Sequence, residues 1–198
     1  QLQRELLKKI DTLHQKQRPN QLQLDARIKS YELAARMQLE ATDVLDIGQE
    51  TQETLDKYGV GKESTDSYAR RTLMARRMVE RGVRYVQIFM NGQPWDSHSN
   101  LEKSLRGAAG RTDQPVAALL EDLKDRGLLD EVLVVWGGEF GRTPQSENGD
   151  GRDHNPYGFS TWFAGGGVKR GFTLGATDEL GLHAIEGRTH VYDLHATM

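Results

Sequence analysis

Apolar residues return every three to four positions from the start of the chain. Leu2, Leu6, Ile10 and Leu13 in "QLQRELLKKIDTLHQKQ" share one face of a helix over 1–17. Arg18-Pro19-Asn20 breaks the pattern, because proline has no N–H to continue a helical ladder. A second helix is predicted over 22–41, with Leu24, Ile28, Tyr31, Ala35 and Leu39 on one stripe, so the two read as a helical hairpin. A polar stretch over 42–63 leads to a third helix, "STDSYARRTLMARRMVERG", which Ser64 or Thr65 can cap and Gly82 can end.

The periodicity then changes. "VRYVQIFM" (83–90) is a continuous apolar run of strand length, and "NGQPWDSHSN" is the loop that leaves it. A helix is predicted over 112–127, around "PVAALLEDLKDRG". A buried-type strand follows at "EVLVVW" (131–136), and a third apolar run, "GFSTWFAGG", comes after a long loop. Strand, helix, strand predicts a parallel sheet with crossover connections. Sites in such sheets form at the carboxyl ends of strands, which is where both unusual loops leave.

Composition narrows the picture. The 198 residues are 36% apolar and 28% charged, enough for one core and a small helical appendage. Net charge is −3, and the part beyond residue 82, which carries the candidate chemistry, is net acidic, with 11 Lys/Arg against 16 Asp/Glu. There is no cysteine, which excludes disulfides, thiolate zinc sites and cysteine nucleophiles within the sequence. No apolar stretch approaches membrane-span length, and no signal peptide opens the chain. The first residue already sits in a helical pattern, and "HVYDLHATM" starts a helix that stops after about one turn. The chain is therefore expected to be a fragment of a longer protein.

Three loops carry chemistry. Asp96 and His98 in "WDSHS" pair a carboxylate with an imidazole, good ligands for a divalent metal, although turn capping uses the same residues. Glu139 follows "VVWGG", where two glycines allow close backbone approach. It can bind metal, act as acid or base, or pair with Arg142. Arg142 itself can clamp a sulfate or phosphate oxygen bidentately. In Asp153-His154-Asn155-Pro156, His154 is a candidate ligand and Asp153 a second ligand or an orienting partner; an Asx-type turn is the alternative.

Other features carry less. His14 reads as solvated, His183 and His190 as turn residues, and Asp193 with Thr197 as a helix start that has His195 in its first turn. Arg70, Arg71, Arg76, Arg77, Arg81 and Arg84 invite a nucleic-acid reading. Interleaved acids and the absence of stacking aromatics favour a solvated helix face and no nucleic-acid partner. "GGGVKRG" matches neither phosphate-loop nor dinucleotide spacing.

"GGEFGRTP", "GRDHNPYGFSTWFAGGGVKRG", "GATDELG" and "VYDLHATM" closely resemble the sulfatase-like family known as domain of unknown function 1501, grouped with the alkaline phosphatase superfamily. The likeness is strong over 83–198 and looser over 1–82. It implies a three-layer α/β/α sandwich of the alkaline phosphatase type. Residues 1–82 would be a mainly helical segment, and 83–198 the C-terminal part of the α/β domain, truncated at both ends. It further implies a metal-dependent hydrolase of sulfate or phosphate esters, acting on a small molecule or glycan. The expected cofactor is a divalent ion (zinc, manganese or calcium) on Asp96, His98, Glu139, Asp153 and His154, with Arg142 as the catalytic arginine. The nucleophile is expected upstream of Gln1, and the resemblance implies export from the cell. Superfamily enzymes usually show Asp-His-Gly where this chain has Glu139-Phe140-Gly141, and phenylalanine cannot ligate a metal. The alternative is a binding or structural protein that keeps the fold without catalysis.

Overall fold

In this computed structural model, residues 2–18, 22–146 and 149–198 are described. They fall into two compact units, Gln1–Asp46 and Ile47–Met198. Roughly half of the chain is helical, and the rest carries small antiparallel sheets. No helix among the described residues is long and apolar enough to cross a membrane.

The first unit holds α1 (Leu2–Lys16) and α2 (Leu22–Leu45), which pack on each other. Both helices match the apolar periodicity, and α2 runs four residues beyond the predicted end. The expected break at Pro19-Asn20 lies outside the described residues. Along the α2 stripe Leu24, Ile28 and Ala35 are half-buried, whereas Tyr31 is exposed, as are Leu6, Ile10 and Leu13 of α1.

The second unit is built on three helices. Its α3 (Gln52–Tyr58) falls inside the stretch read as a polar linker. Thr51 caps it by accepting from the Thr54 N–H, and Gly59 ends it at φ 81°, a left-handed position that suits glycine. The α4 helix spans Asp66–Glu80. The α5 helix spans Leu101–Asp125, starting eleven residues before the predicted position 112. Gly107 and Gly110 lower the helix propensity of the added stretch, 101–111. Ala108 in the added stretch continues the buried face of Thr112, Pro115, Ala118 and Leu119 at helical spacing. Tyr58, Ala69, Leu73, Ala118, Leu119 and Leu123 form the core between α3, α4 and α5.

A buried ion network crosses the same helices. Arg76 of α4, 2% exposed, meets Glu50 at 2.6 Å, Glu80 at 2.5 Å and Asp122 of α5 at 3.0 Å. Arg77 also pairs with Glu50, and the Tyr58 hydroxyl donates to Asp122 at 3.0 Å. The reading of the α4 arginines as a solvated face is therefore corrected for these two. A buried arginine is tolerated because its carboxylates are buried with it.

The strands are short. β1 (Leu133–Trp136) pairs antiparallel with β4 (Trp162–Gly165), in register from Leu133↔Gly165 to Trp136↔Trp162. β2 (Gly141–Arg142) pairs with β3 (His154–Asn155), and β5 (Ala176–Thr177) with β6 (Ala184–Glu186), also antiparallel. The expected parallel sheet is not among the ladders present. Nor is 83–90 a strand: it joins no ladder among the described residues, and its Val83 N–H closes the end of α4 on the Met78 carbonyl at 3.0 Å. Strand composition favours an extended backbone, but a ladder also needs a neighbour in register. The chain closes with α6 (Val191–Thr197), where His190 and Asp193 form a reciprocal capping box. His190 is thus a helix cap, and His195 lies in the last turn of α6 rather than the first.

Candidate metal centre

Three local arrangements bring distant residues to the carboxyl end of β1. The Trp95 ring meets Trp136 edge-on at 5.7 Å, and Trp136 stacks on Trp162 at 6.0 Å with 8° between planes. Trp95 therefore anchors its loop over the end of the β1–β4 pair and carries Asp96 with it. The loop before β3 is stitched to the same place, because the Arg152 N–H donates to the Ser97 carbonyl at 2.8 Å. The Asp150 carboxylate accepts from the Asn100 N–H at 2.8 Å. Gly151 permits this approach: a Cβ there would collide with the His98 carbonyl. Finally, the β2–β3 register sets Arg142 opposite His154.

The result is a cluster around one carboxylate oxygen. Asp96 Oδ1 lies 2.7 Å from Arg142 Nη1, 3.0 Å from His154 Nε2 and 3.1 Å from His98 Nε2. The ligand-capable atoms of Asp96, His98 and His154 all lie within 4.8 Å of one another. On the far nitrogen of His98, Asp153 Oδ1 stands 3.5 Å from Nδ1. A carboxylate on the second ring nitrogen fixes the tautomer that leaves Nε2 free to bind a metal. The cluster is reachable from solvent, with side-chain exposures from 25% at Asp96 to 53% at His98.

Electrostatics keep Asp96 anionic. The hydrogen bond from His154 and then the contact with the Arg142 guanidinium lower its pKa to about 2, against a smaller opposing effect of desolvation. Arg142 Nη1 is itself buried and is ion-paired with Asp96 Oδ1 at 2.7 Å, off the ideal hydrogen-bond axis. Phe140 stacks on the His154 ring at 4.1 Å, and the Arg142 guanidinium lies 5.5 Å from the Phe140 ring centre.

Of the residues singled out by sequence, Asp96, His98, His154 and Arg142 converge, and Asp153 supports them from behind. Glu139 does not join. It is exposed and has no hydrogen bond or ion pair among the described residues. His183 sits apart, against Asp178 at 3.4 Å and Tyr157. The stacking role of Phe140 and the tryptophan anchor were not foreseen. The spacing of Trp95 one residue before Asp96 was the available signal.

A family model described as "Protein of unknown function (DUF1501)" matches residues 1–198. The chain belongs to the DUF1501 family. Among curated proteins and solved structures, nothing matches it. For this DUF1501 chain the argument about function therefore rests on the cluster. One carboxylate and two imidazoles, oriented by a further carboxylate, are a donor set suited to zinc or another divalent ion, with room left for outside ligands.

Proposed function

We propose that this DUF1501 chain is part of a metal-dependent hydrolase of sulfate or phosphate esters, built on the alkaline phosphatase type of three-layer sandwich. The observation that carries the reading is the convergence of Asp96, His98 and His154 within 4.8 Å. Asp96 and the two imidazoles would hold the divalent ion, and Asp153 would orient His98. When bound, such an ion polarises an ester oxygen. Arg142, paired with Asp96 through Nη1, would neutralise the anionic group brought to the site with the remaining N–H donors of its guanidinium. The exposure of the cluster suits a substrate that arrives from solvent.

A second reading has its own support. Phe140 covers one face of His154, and Arg142 already neutralises Asp96, so the cluster is stable without a cation. On that reading the protein binds or scaffolds and does not catalyse.

Metal content separates the two. The chain is equilibrated with zinc, manganese or calcium, desalted and measured by elemental mass spectrometry, alongside His154→Ala and Glu139→Ala. The hydrolase reading expects stoichiometric metal in the parent and in Glu139→Ala, and loss in His154→Ala. A metal-free parent, or a His154→Ala variant that keeps its metal, removes the basis for the hydrolase and leaves the binding protein.

A further inference from the structure

Four of the six arginines on α4 and α5 are ion-paired. Arg70 meets Asp66, Arg76 and Arg77 meet Glu50, and Arg106 meets Glu102. Arg71 and Arg111 are the exceptions: neither forms an ion pair among the described residues. The sequence explains why. The positions three and four away from Arg111 are Gly107, Ala108, Gln114 and Pro115, and those around Arg71 are Ser67, Tyr68, Met74 and Ala75. No acid is within helical reach of either.

These two arginines line one hollow of about 230 Å³, with Ser64, Ser67, Tyr68 and Asn91 among its other walls and no carboxylate. Arg71 is held in place by neutral acceptors alone. Its Nη1 donates to the Phe89 carbonyl at 2.8 Å, and its Nη2 donates to Asn91 Oδ1 at 3.1 Å and to Ser67 Oγ at 3.3 Å. Its charge is thus positioned but not neutralised. Because Ser67 and Asn91 accept from Arg71, the Ser67 O–H and the Asn91 amide N–H groups remain available as donors. The hollow is smaller than the roughly 300 Å³ at which drug-sized sites begin, which suits a single charged group.

Arg111 also lines a neighbouring hollow of about 220 Å³, whose walls include Ser104, Ser97 and Asp96 of the metal cluster. The arginine hollow therefore stands one side chain away from the candidate centre. We propose that Arg71 and Arg111 form an anion subsite that takes a second, non-reacting oxyanion of the ester, a sulfate or phosphate group. This narrows the substrate class to esters with at least two anionic groups. It rests on the hydrolase reading for the word substrate, but anion binding itself does not need the metal.

The test uses the whole chain, stripped of metal on a chelating resin. Inorganic sulfate and inorganic phosphate are titrated by calorimetry at constant ionic strength, so that screening is held fixed. The subsite predicts saturable binding, weakened about tenfold or more by Arg111→Gln. Arg106→Gln is the control: it removes the same charge from the same helix, at a paired position, and should leave binding unchanged. If Arg106→Gln weakens binding as much as Arg111→Gln, or if neither anion binds saturably, the subsite is wrong. Retained anion binding in a chain that takes up no metal would sink the hydrolase and spare the subsite. Metal uptake without anion binding would do the reverse.

Discussion

Removing Arg76 should cost far more than removing Arg126, although their ion pairs are equally short. Arg126 lies 2.6 Å from Glu80 and 2.7 Å from Asp122, and Arg76 lies 2.5–3.0 Å from its three carboxylates. The difference is burial: 2% of the Arg76 side chain is exposed, against 37% for Arg126. Taking one partner from a buried ionic cluster leaves charge without compensation and costs about 3–5 kcal/mol. Here each carboxylate keeps another arginine, Glu50 through Arg77 and the other two through Arg126, so Arg76→Met should fall near the lower end, about 3 kcal/mol. Arg126→Met should cost about 1 kcal/mol or less, because water and salt screen the pair. For a unit of this size, the larger loss lowers Tm by roughly 6–12 °C. Trp95, Trp136 and Trp162 are the only tryptophans, and all lie in Ile47–Met198. Urea unfolding followed by tryptophan fluorescence therefore reports that unit alone. If Arg126→Met costs as much as Arg76→Met, or if Arg76→Met is neutral, burial does not govern this network and the reasoning fails.

Further expectations follow from the same contacts. Gly151→Ala should separate the His154 loop from the His98 loop, because the added methyl collides with the His98 carbonyl. Any metal uptake should fall with it, while urea stability of the helical core, set by Leu73 and Leu123, changes little. Burial raises the Glu50 pKa, but hydrogen bonds and charge from Arg76 and Arg77 outweigh it and lower the pKa below 4.5. A depressed folded-state pKa contributes stability that is present above pH 4.5 and lost as pH falls through the folded value. Glu50→Gln should therefore lower stability at neutral pH and flatten its decline below about pH 4.5, measured by urea titrations across pH. Arg142→Gln removes a cation that competes for Asp96 Oδ1, so zinc should bind roughly tenfold more tightly. Unchanged or weaker zinc affinity by calorimetry would mean that Arg142 does not oppose the metal.

The sequence by itself determined the helices of strong period, the absence of thiol chemistry and most of the residues at the site. Local periodicity decided α1, α2 and α4, because one face of each repeats at helical spacing. Asp96, His98, Arg142 and His154 were singled out as candidates from residue type and loop position, although turn capping and Asx turns use the same residues. Tertiary structure decided the rest. It carried α5 back from the predicted 112 to Leu101, where Ala108 continues the buried face, and left 83–90 without a ladder, since pairing depends on a neighbour that composition does not specify. It buried Arg76 and Arg77, left Arg71 and Arg111 without acids, and set Glu139 aside from the cluster while bringing Asp153 behind His98. These are matters of which surfaces meet. The charge and shape of a residue limit what it can do, but the distance to its partner is set by the packing of elements far apart in the chain.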